Sequence, residues 1–242
     1  MLLKLENIYF KYPGEVEVLK GANLSADRGE IVALIGPVGS GKTTLLMIAA
    51  GLLEPERGAV FLDGKPLKDQ LPEARERIGL VFQNPDDQIF NPTVYDELAF
   101  ALNQICNSTT EVDSIVRSVA DRFNITHLLS RPPYRLSMGE KRIITLASII
   151  VYNPDILLLD EPTANVSSRI VEIIKSVLFE FKQSKKATVV ASHDAEFIAE
   201  VSDRVYVINN GVTIGGLDSK TILSDEKILA MADLKPIRVK KT

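Results

Sequence analysis

Gly36-Pro37-Val38-Gly39-Ser40-Gly41-Lys42-Thr43 satisfies the pattern Gly-x-x-x-x-Gly-Lys-[Ser/Thr] in full. Its surroundings are those the pattern demands. The apolar run Ile31 to Ile35 predicts a strand that ends in this glycine-rich turn, and Thr43 to Leu53 predicts a helix closed by Pro55 and Gly58. In such a strand, loop and helix unit the glycines Gly36, Gly39 and Gly41 let the backbone wrap closely. Successive N–H groups along Val38, Gly39 and Ser40, after the turn that Pro37 opens, then point at phosphate oxygens beside a helix N-terminus. Lys42 is placed to reach the β- and γ-phosphates, Thr43 to offer its hydroxyl to Mg²⁺, and Thr44 to line the same cradle.

Working outward, the alternation predicts a first strand through Leu3, Leu5 and Ile8-Tyr9-Phe10, ending at Tyr12-Pro13-Gly14. Ala59 to Leu62 and Ile78 to Phe82 read as strands, and Thr93 to Leu102 and Val112 to Phe123 as helices. Beyond them come a strand at 156 to 159, a helix at 170 to 181, a strand at 188 to 191, a helix at 195 to 201 and a strand at 205 to 208. Strands alternating with helices imply an α/β fold with a mostly parallel sheet covered on both faces. The helical middle, about residues 84 to 152, reads as an insertion into a core of about 1 to 83 and 153 to 216, with 217 to 242 as a tail.

A second element of the site follows from Ile156-Leu157-Leu158-Leu159-Asp160-Glu161, an apolar strand that stops at two carboxylates. Ligands in open α/β sheets bind at that strand edge. Asp160 is positioned to hold Mg²⁺ through hard oxygen ligands, which leaves Glu161 to orient or deprotonate a water attacking the terminal phosphate.

Bulk properties narrow the function classes. The chain has 242 residues, 45% hydrophobic and 25% charged, as in folded soluble domains rather than disordered segments. A net charge of -4 offers no basic field for a polyanion, which argues against nucleic acid as a partner. The basic run Lys235-Pro236-Ile237-Arg238-Val239-Lys240-Lys241 reads as a solvated tail. The single Cys106 excludes an internal disulfide and fits a reducing compartment. Runs such as Ile143 to Tyr152 fall short of the roughly 20 residues of a membrane span, so work at a membrane requires a partner.

Leu136-Ser137-Met138-Gly139-Glu140, just before the carboxylate strand, resembles the LSGGQ signature of ABC ATPases. The resemblance extends over about Leu2 to Gly216. It implies a single nucleotide-binding domain with a RecA-like P-loop core, an N-terminal antiparallel β subdomain and the helical insertion. By the same resemblance Tyr12 stacks on adenine, Gln83 is the Q-loop glutamine near Mg²⁺ and the γ-phosphate, and His193 is the switch histidine. Ser137 and Gly139 contact the nucleotide of a second subunit. ATP and Mg²⁺ are the implied cofactors. His127, Cys106 and the remaining methionines read as structural.

Two positions depart from the family pattern. Met138 stands where the signature has Gly, with Glu140 in place of Gln, and Asn165-Val166-Ser167 stands where Gly-Leu-Asp is usual. Both lie on the face offered to the partner's nucleotide, which suggests an asymmetric heterodimer, although a homodimer remains open. The stretch Val81 to Phe90, followed by Pro92 to Phe100, is similar to the segment after the Q-loop in energy-coupling-factor and cobalt or nickel importer ATPases. That implies import of a vitamin or divalent metal ion. It also implies a transmembrane scaffold, a substrate-binding membrane protein, and a peripheral place on the cytoplasmic face of the cell membrane. The alternatives are a soluble ABC ATPase without a membrane partner and an SMC-type DNA-maintenance ATPase. The latter needs a long coiled coil, and no sustained heptad run lies between Gln83 and Leu136.

Overall fold

A computed structural model describes residues 1–14 and 16–234, so the basic run 235–241 lies outside the described residues. The elements in order are β1 (Leu3–Lys11), β2 (Glu17–Ala26), β3 (Ile31–Ile35), α1 (Lys42–Ala49), β4 (Arg57–Leu62), β5 (Lys65–Pro66) and β6 (Ile78–Val81). The helices α2 (Val94–Ile105), α3 (Thr109–Arg122) and α4 (Met138–Ile150) follow. The chain continues through β7 (Ile156–Asp160), α5 (Ser168–Gln183), β8 (Ala187–Ala191), α6 (Ala195–Val201), β9 (Arg204–Asn209), β10 (Val212–Asp218), α7 (Ser219–Leu223) and α8 (Glu226–Met231).

Two sheets organise these elements. An antiparallel sheet runs β2-β1-β4-β5, and a six-stranded sheet runs β10-β9-β3-β8-β7-β6, parallel from β9 to β6 with β10 antiparallel at its edge. All five residues of β3, β7 and β8 are buried, because a parallel sheet is covered on both faces. Side chains alternate along each strand. Ile31, Ala33 and Ile35 therefore join the core under α2 to α6, whereas Val32 and Leu34 join the core shared with α1 and the antiparallel sheet. An unbroken apolar run such as Ile31-Val32-Ala33-Leu34-Ile35 is what that double burial requires.

Three expectations from sequence change. The helix expected through Leu53 ends at Ala49, because Gly51 adopts φ 70° and closes it: Gly51 N–H donates to Ile48 O at 3.0 Å and Leu52 N–H to Met47 O at 2.9 Å. These two bonds form a Schellman stop, well before Pro55. Glu17 to Ala26 is a strand without a clean alternation, since register shifts in its pairing with β1 break the period. After Asp218 the chain forms α7 and α8, whose Ile222, Leu223 and Leu229 are buried in the main core.

α4 approaches β6 closely. A Cβ on Gly79 would come within 2.2 Å of Ile149 Cγ2 and 3.2 Å of Pro154 Cγ. Gly79→Val is therefore expected to overpack this contact and cost about 1 to 3 kcal/mol, read as a lowered Tm in thermal unfolding. An unchanged Tm would contradict this seating of the helix.

Candidate functional site

Because β9, β3, β8, β7 and β6 are parallel, their C-terminal ends share one edge of the sheet. That edge carries the loop 36–43 after β3, Asp160 and Glu161 after β7, His193 after β8 and Gln83 after β6. Gln83, exposed, is two residues past Val81, and Val81 pairs with Leu159 two residues before Glu161. The main-chain path of the loop depends on glycine. A Cβ at Gly36 would lie 2.2 Å from Ile208 O, and Gly41 has φ 105° at the cap of α1 with its Cβ position 2.8 Å from Leu19 Cδ2. Pro37 O accepts from Ser40 N–H at 3.2 Å, turning the crest of the loop, where Val38 is almost wholly exposed.

Lys42 folds back into this loop. Its Nζ donates to Gly36 O at 2.7 Å and Pro37 O at 3.0 Å, and lies 3.9 Å from Glu161 Oε1. Burial pushes the ammonium below its ordinary range, while Glu161 and Asp160 pull it back up. A cation held only by carbonyls and a more distant carboxylate is prepared for a stronger acceptor, and phosphate oxygens are such acceptors.

Thr43 Oγ1 donates to Asp160 Oδ2 at 2.5 Å. The other oxygen, Oδ1, is buried without a hydrogen-bond partner among the described residues, and so is Ser40 Oγ. Asp160 is 2% exposed, and burial raises its carboxyl pKa despite the Thr43 bond. A hydroxyl and a carboxylate with one free oxygen, with Gln83 at the same sheet edge, form an all-oxygen set that leaves most positions to other ligands. This fits Mg²⁺, a small hard cation that keeps water and phosphate oxygens.

Glu161 occupies the left-handed region at φ 45°, with its N–H on Ala191 O at 2.9 Å. A non-glycine residue held there is strained, a feature common at functional sites. Its Oε2 lies 2.7 Å from His193 Nδ1 and 3.3 Å from the His193 N–H, so a nearly buried carboxylate orients an imidazole that is largely exposed. On the other side of the loop, the Tyr12 hydroxyl is 3.3 Å from Thr44 Oγ1, and its ring packs edge-on against Phe10 at 5.0 Å. The structure thus brings together the loop 36–43, Thr44, Tyr12, Asp160, Glu161 and His193, with Gln83 at the same edge.

Ser137 and Gly139 are not part of that cluster within one chain. They line a separate groove of about 470 Å³ with His127, Asn165, Val166 and Ser167. Ser137 caps α4, and Glu140 closes a capping box: its Oε2 accepts from Ser137 N–H at 2.8 Å and Ser137 Oγ at 2.7 Å. Those hydrogen bonds hold the Glu140 carboxyl below its ordinary range. Met138 stands 45% exposed at the first position of the helix.

Two features escaped the sequence reading. Arg142, buried on α4, donates from Nη1 to Phe82 O at 2.9 Å. Its spacing with Leu146 and Ile150 puts it on the buried face of α4, but its acceptor is a backbone carbonyl that no pattern names. Phe90 and Phe100, 67% and 46% exposed, pack edge to face at 4.8 Å. The buried Glu97 fixes that arrangement, its Oε2 accepting from Phe90 N–H at 3.2 Å and from the Asn91 N–H and Nδ2 at 3.0 Å each.

Comparison with known proteins agrees with this geometry. The family model described as ABC transporter matches residues 19–164. A putative ABC transporter ATP-binding protein of Archaeoglobus fulgidus is 38% identical over 232 residues, 96% of each chain. The energy-coupling factor transporter ATP-binding protein EcfA of Methanocaldococcus jannaschii is 34% identical over 98% of this chain and 86% of its own length. The solved structure of cbiO1 from Clostridium perfringens, described as part of the ABC transporter complex cbiONQ, superposes with a TM-score of 0.80 at 32% identity, covering 95% of this chain and 93% of that one.

Proposed function

This chain belongs to the ABC transporter ATP-binding family, and from that premise we infer that it energises a membrane importer of the energy-coupling type as one half of an ATPase dimer. The family splits ATP with water into ADP and phosphate and couples that reaction to transport. The observation that carries the site assignment is the Thr43 to Asp160 hydrogen bond with Asp160 Oδ1 left free, next to the Glu161 carboxylate that lies 3.9 Å from Lys42 Nζ.

In the proposed cycle the triphosphate enters the loop 36–43 and Lys42 exchanges the carbonyls of Gly36 and Pro37 for β- and γ-oxygens. Ser40, Thr44 and the loop N–H groups complete the cradle, and the Tyr12 ring stacks on adenine. Thr43, Asp160 and Gln83 would hold Mg²⁺, which when bound would supply charge neutralisation at the phosphates. Glu161 takes the proton of the attacking water, and His193, aligned by Glu161, donates toward the γ-phosphate. Ser137 and Gly139 serve the nucleotide of a second subunit. ATP's higher affinity for the closed dimer drives closing, and hydrolysis releases it.

The partner site is the weaker one in this reading. Glu140 stays ionised beside Ser137 and engages the hydroxyl and N–H that an incoming phosphate would use, Met138 crowds the approach, and Ser167 lacks a carboxylate. A heterodimer with an intact second ATPase follows. The similarity to EcfA and cbiO1 supports import of a vitamin or divalent metal ion through a transmembrane scaffold and a substrate-binding membrane protein, with this subunit peripheral on the cytoplasmic face. Among the described residues no helix is long and apolar enough to cross a membrane. The Phe90 and Phe100 rings, fixed by Glu97, form the proposed seat for a coupling helix of the scaffold.

Purification from native membranes is expected to recover this chain with a second ATPase and integral membrane proteins, and Phe90→Ser to recover much less of the membrane proteins. Recovery of the chain without membrane partners, or a homodimer with full two-site turnover, would overturn the importer and heterodimer readings respectively.

A further inference from the structure

Three bonds tie the segment that follows β6 to α4. Arg142 Nη1 donates to Phe82 O at 2.9 Å; Gln88 Nε2 donates to Thr145 O at 3.4 Å while its Oε1 accepts from Phe82 N–H at 3.1 Å; Lys141 Nζ pairs with Asp86 at 2.6 Å. Beneath them α4 is seated on β6 at Gly79. Of the side chains that make these ties only Arg142 is deeply buried, at 4% exposure, and its Nε has no hydrogen-bond partner among the described residues. Burial pushes the guanidinium below its ordinary range, opposed by the charge of Asp160.

That arrangement is a poor way to stabilise a helix contact. A buried cation with an unmet donor carries a desolvation cost, and an apolar side chain at 142 would extend the stripe of Leu146 and Ile150 without it. What the guanidinium does achieve is fixation of the peptide carbonyl immediately before Gln83. The same helix is capped by Ser137, about two turns or fewer from every one of these ties.

We propose that Arg142 is a positioning residue of the ATPase cycle: by holding the carbonyl of Phe82 against α4, it places Gln83 and Ser137 on one rigid body. A displacement of Gln83 at this chain's own nucleotide then becomes a displacement of the signature at the opposite one. The inference rests on the reading of Gln83 as facing the γ-phosphate.

Steady-state ATPase measurements on the full chain in its native complex test it. Arg142→Met is expected to lower kcat about tenfold with the KM for ATP little changed, as loss of one charged hydrogen bond predicts. Arg142→Lys, which keeps a charged donor, is expected to restore most of the loss. Ile149→Ala removes the Cγ2 that meets Gly79, loosening the same helix contact without touching the Phe82 carbonyl, and is expected to keep kcat. Wild-type kcat in Arg142→Met, or an equal loss in Ile149→Ala at a matched fall in Tm, overturns the proposal. If Arg142→Met does not fold, Arg142→Gln takes its place with the same two outcomes. Gln83→Ala separates the layers: wild-type kcat there removes the underlying reading, whereas a slow Gln83→Ala beside a fast Arg142→Met removes only the role of Arg142.

Discussion

Glu161→Gln is expected to lower ATP turnover by about a hundredfold to ten-thousandfold, the span that general-base catalysis contributes, while nucleotide still binds. The substitution is nearly isosteric. The carboxamide oxygen it introduces would accept from His193 Nδ1 as Glu161 Oε2 now does at 2.7 Å, so the imidazole keeps its orientation. What disappears is the basic oxygen and the negative charge 3.9 Å from Lys42. Lys42 then faces phosphate with one competitor fewer, so affinity for MgATP holds or rises. Steady-state hydrolysis together with calorimetric titration of MgATP separates the two effects. Turnover equal to that of the native chain would remove Glu161 as the base, and a parallel loss of binding would mean that it acts on nucleotide affinity instead.

The second large effect is expected at Asp160, where function and stability pull apart. Its pKa is raised by burial first and by Glu161 second, so ionisation is harder in the folded chain than in the unfolded one. For a raised pKa the favourable contribution is fully present below the unfolded value and is lost as pH rises through the folded value. Above the folded value the charged carboxylate therefore subtracts stability from the nucleotide-free protein. Asp160→Asn keeps an acceptor for the Thr43 hydroxyl and removes the charge. Its Tm without nucleotide is expected to equal or exceed that of the native chain, while Mg²⁺-dependent turnover is lost. The thermal stabilisation that MgATP gives the native chain is expected to shrink in parallel, because binding to the folded state alone produces it. A lower Tm with turnover retained would contradict both halves.

Much of the site is legible because its chemistry is written over short distances. The spacing of Gly36, Gly39, Gly41, Lys42 and Thr43 specifies a backbone path, and the apolar run before Asp160 places that residue at a strand end without reference to the rest of the chain. The helices with clear amphipathic spacing, α2, α3 and α5, are legible for the same reason. β2 is less so, since its pairing with β1 shifts register between Leu5 and Ile8 and again before Tyr9, and each shift breaks the alternation by which a strand is recognised. The stop of α1 at Gly51 depended on a left-handed turn that competed with the apolar run continuing to Leu53.

A phosphate loop, a carboxylate strand and a signature-like helix start can be read from residue order alone, because each is a local pattern whose backbone geometry follows from neighbouring residues. Which atoms meet is visible in the folded chain alone. Thr43 reaches Asp160 across 117 positions, Glu161 reaches His193 across 32, and Arg142 finds the carbonyl of Phe82 across 60. Those meetings follow from strand order and parallel register, which bring distant strand ends to one edge, and from the close seating of α4 on Gly79. Neither a partner's distance nor a backbone acceptor is encoded in any window of sequence short enough to read as a motif.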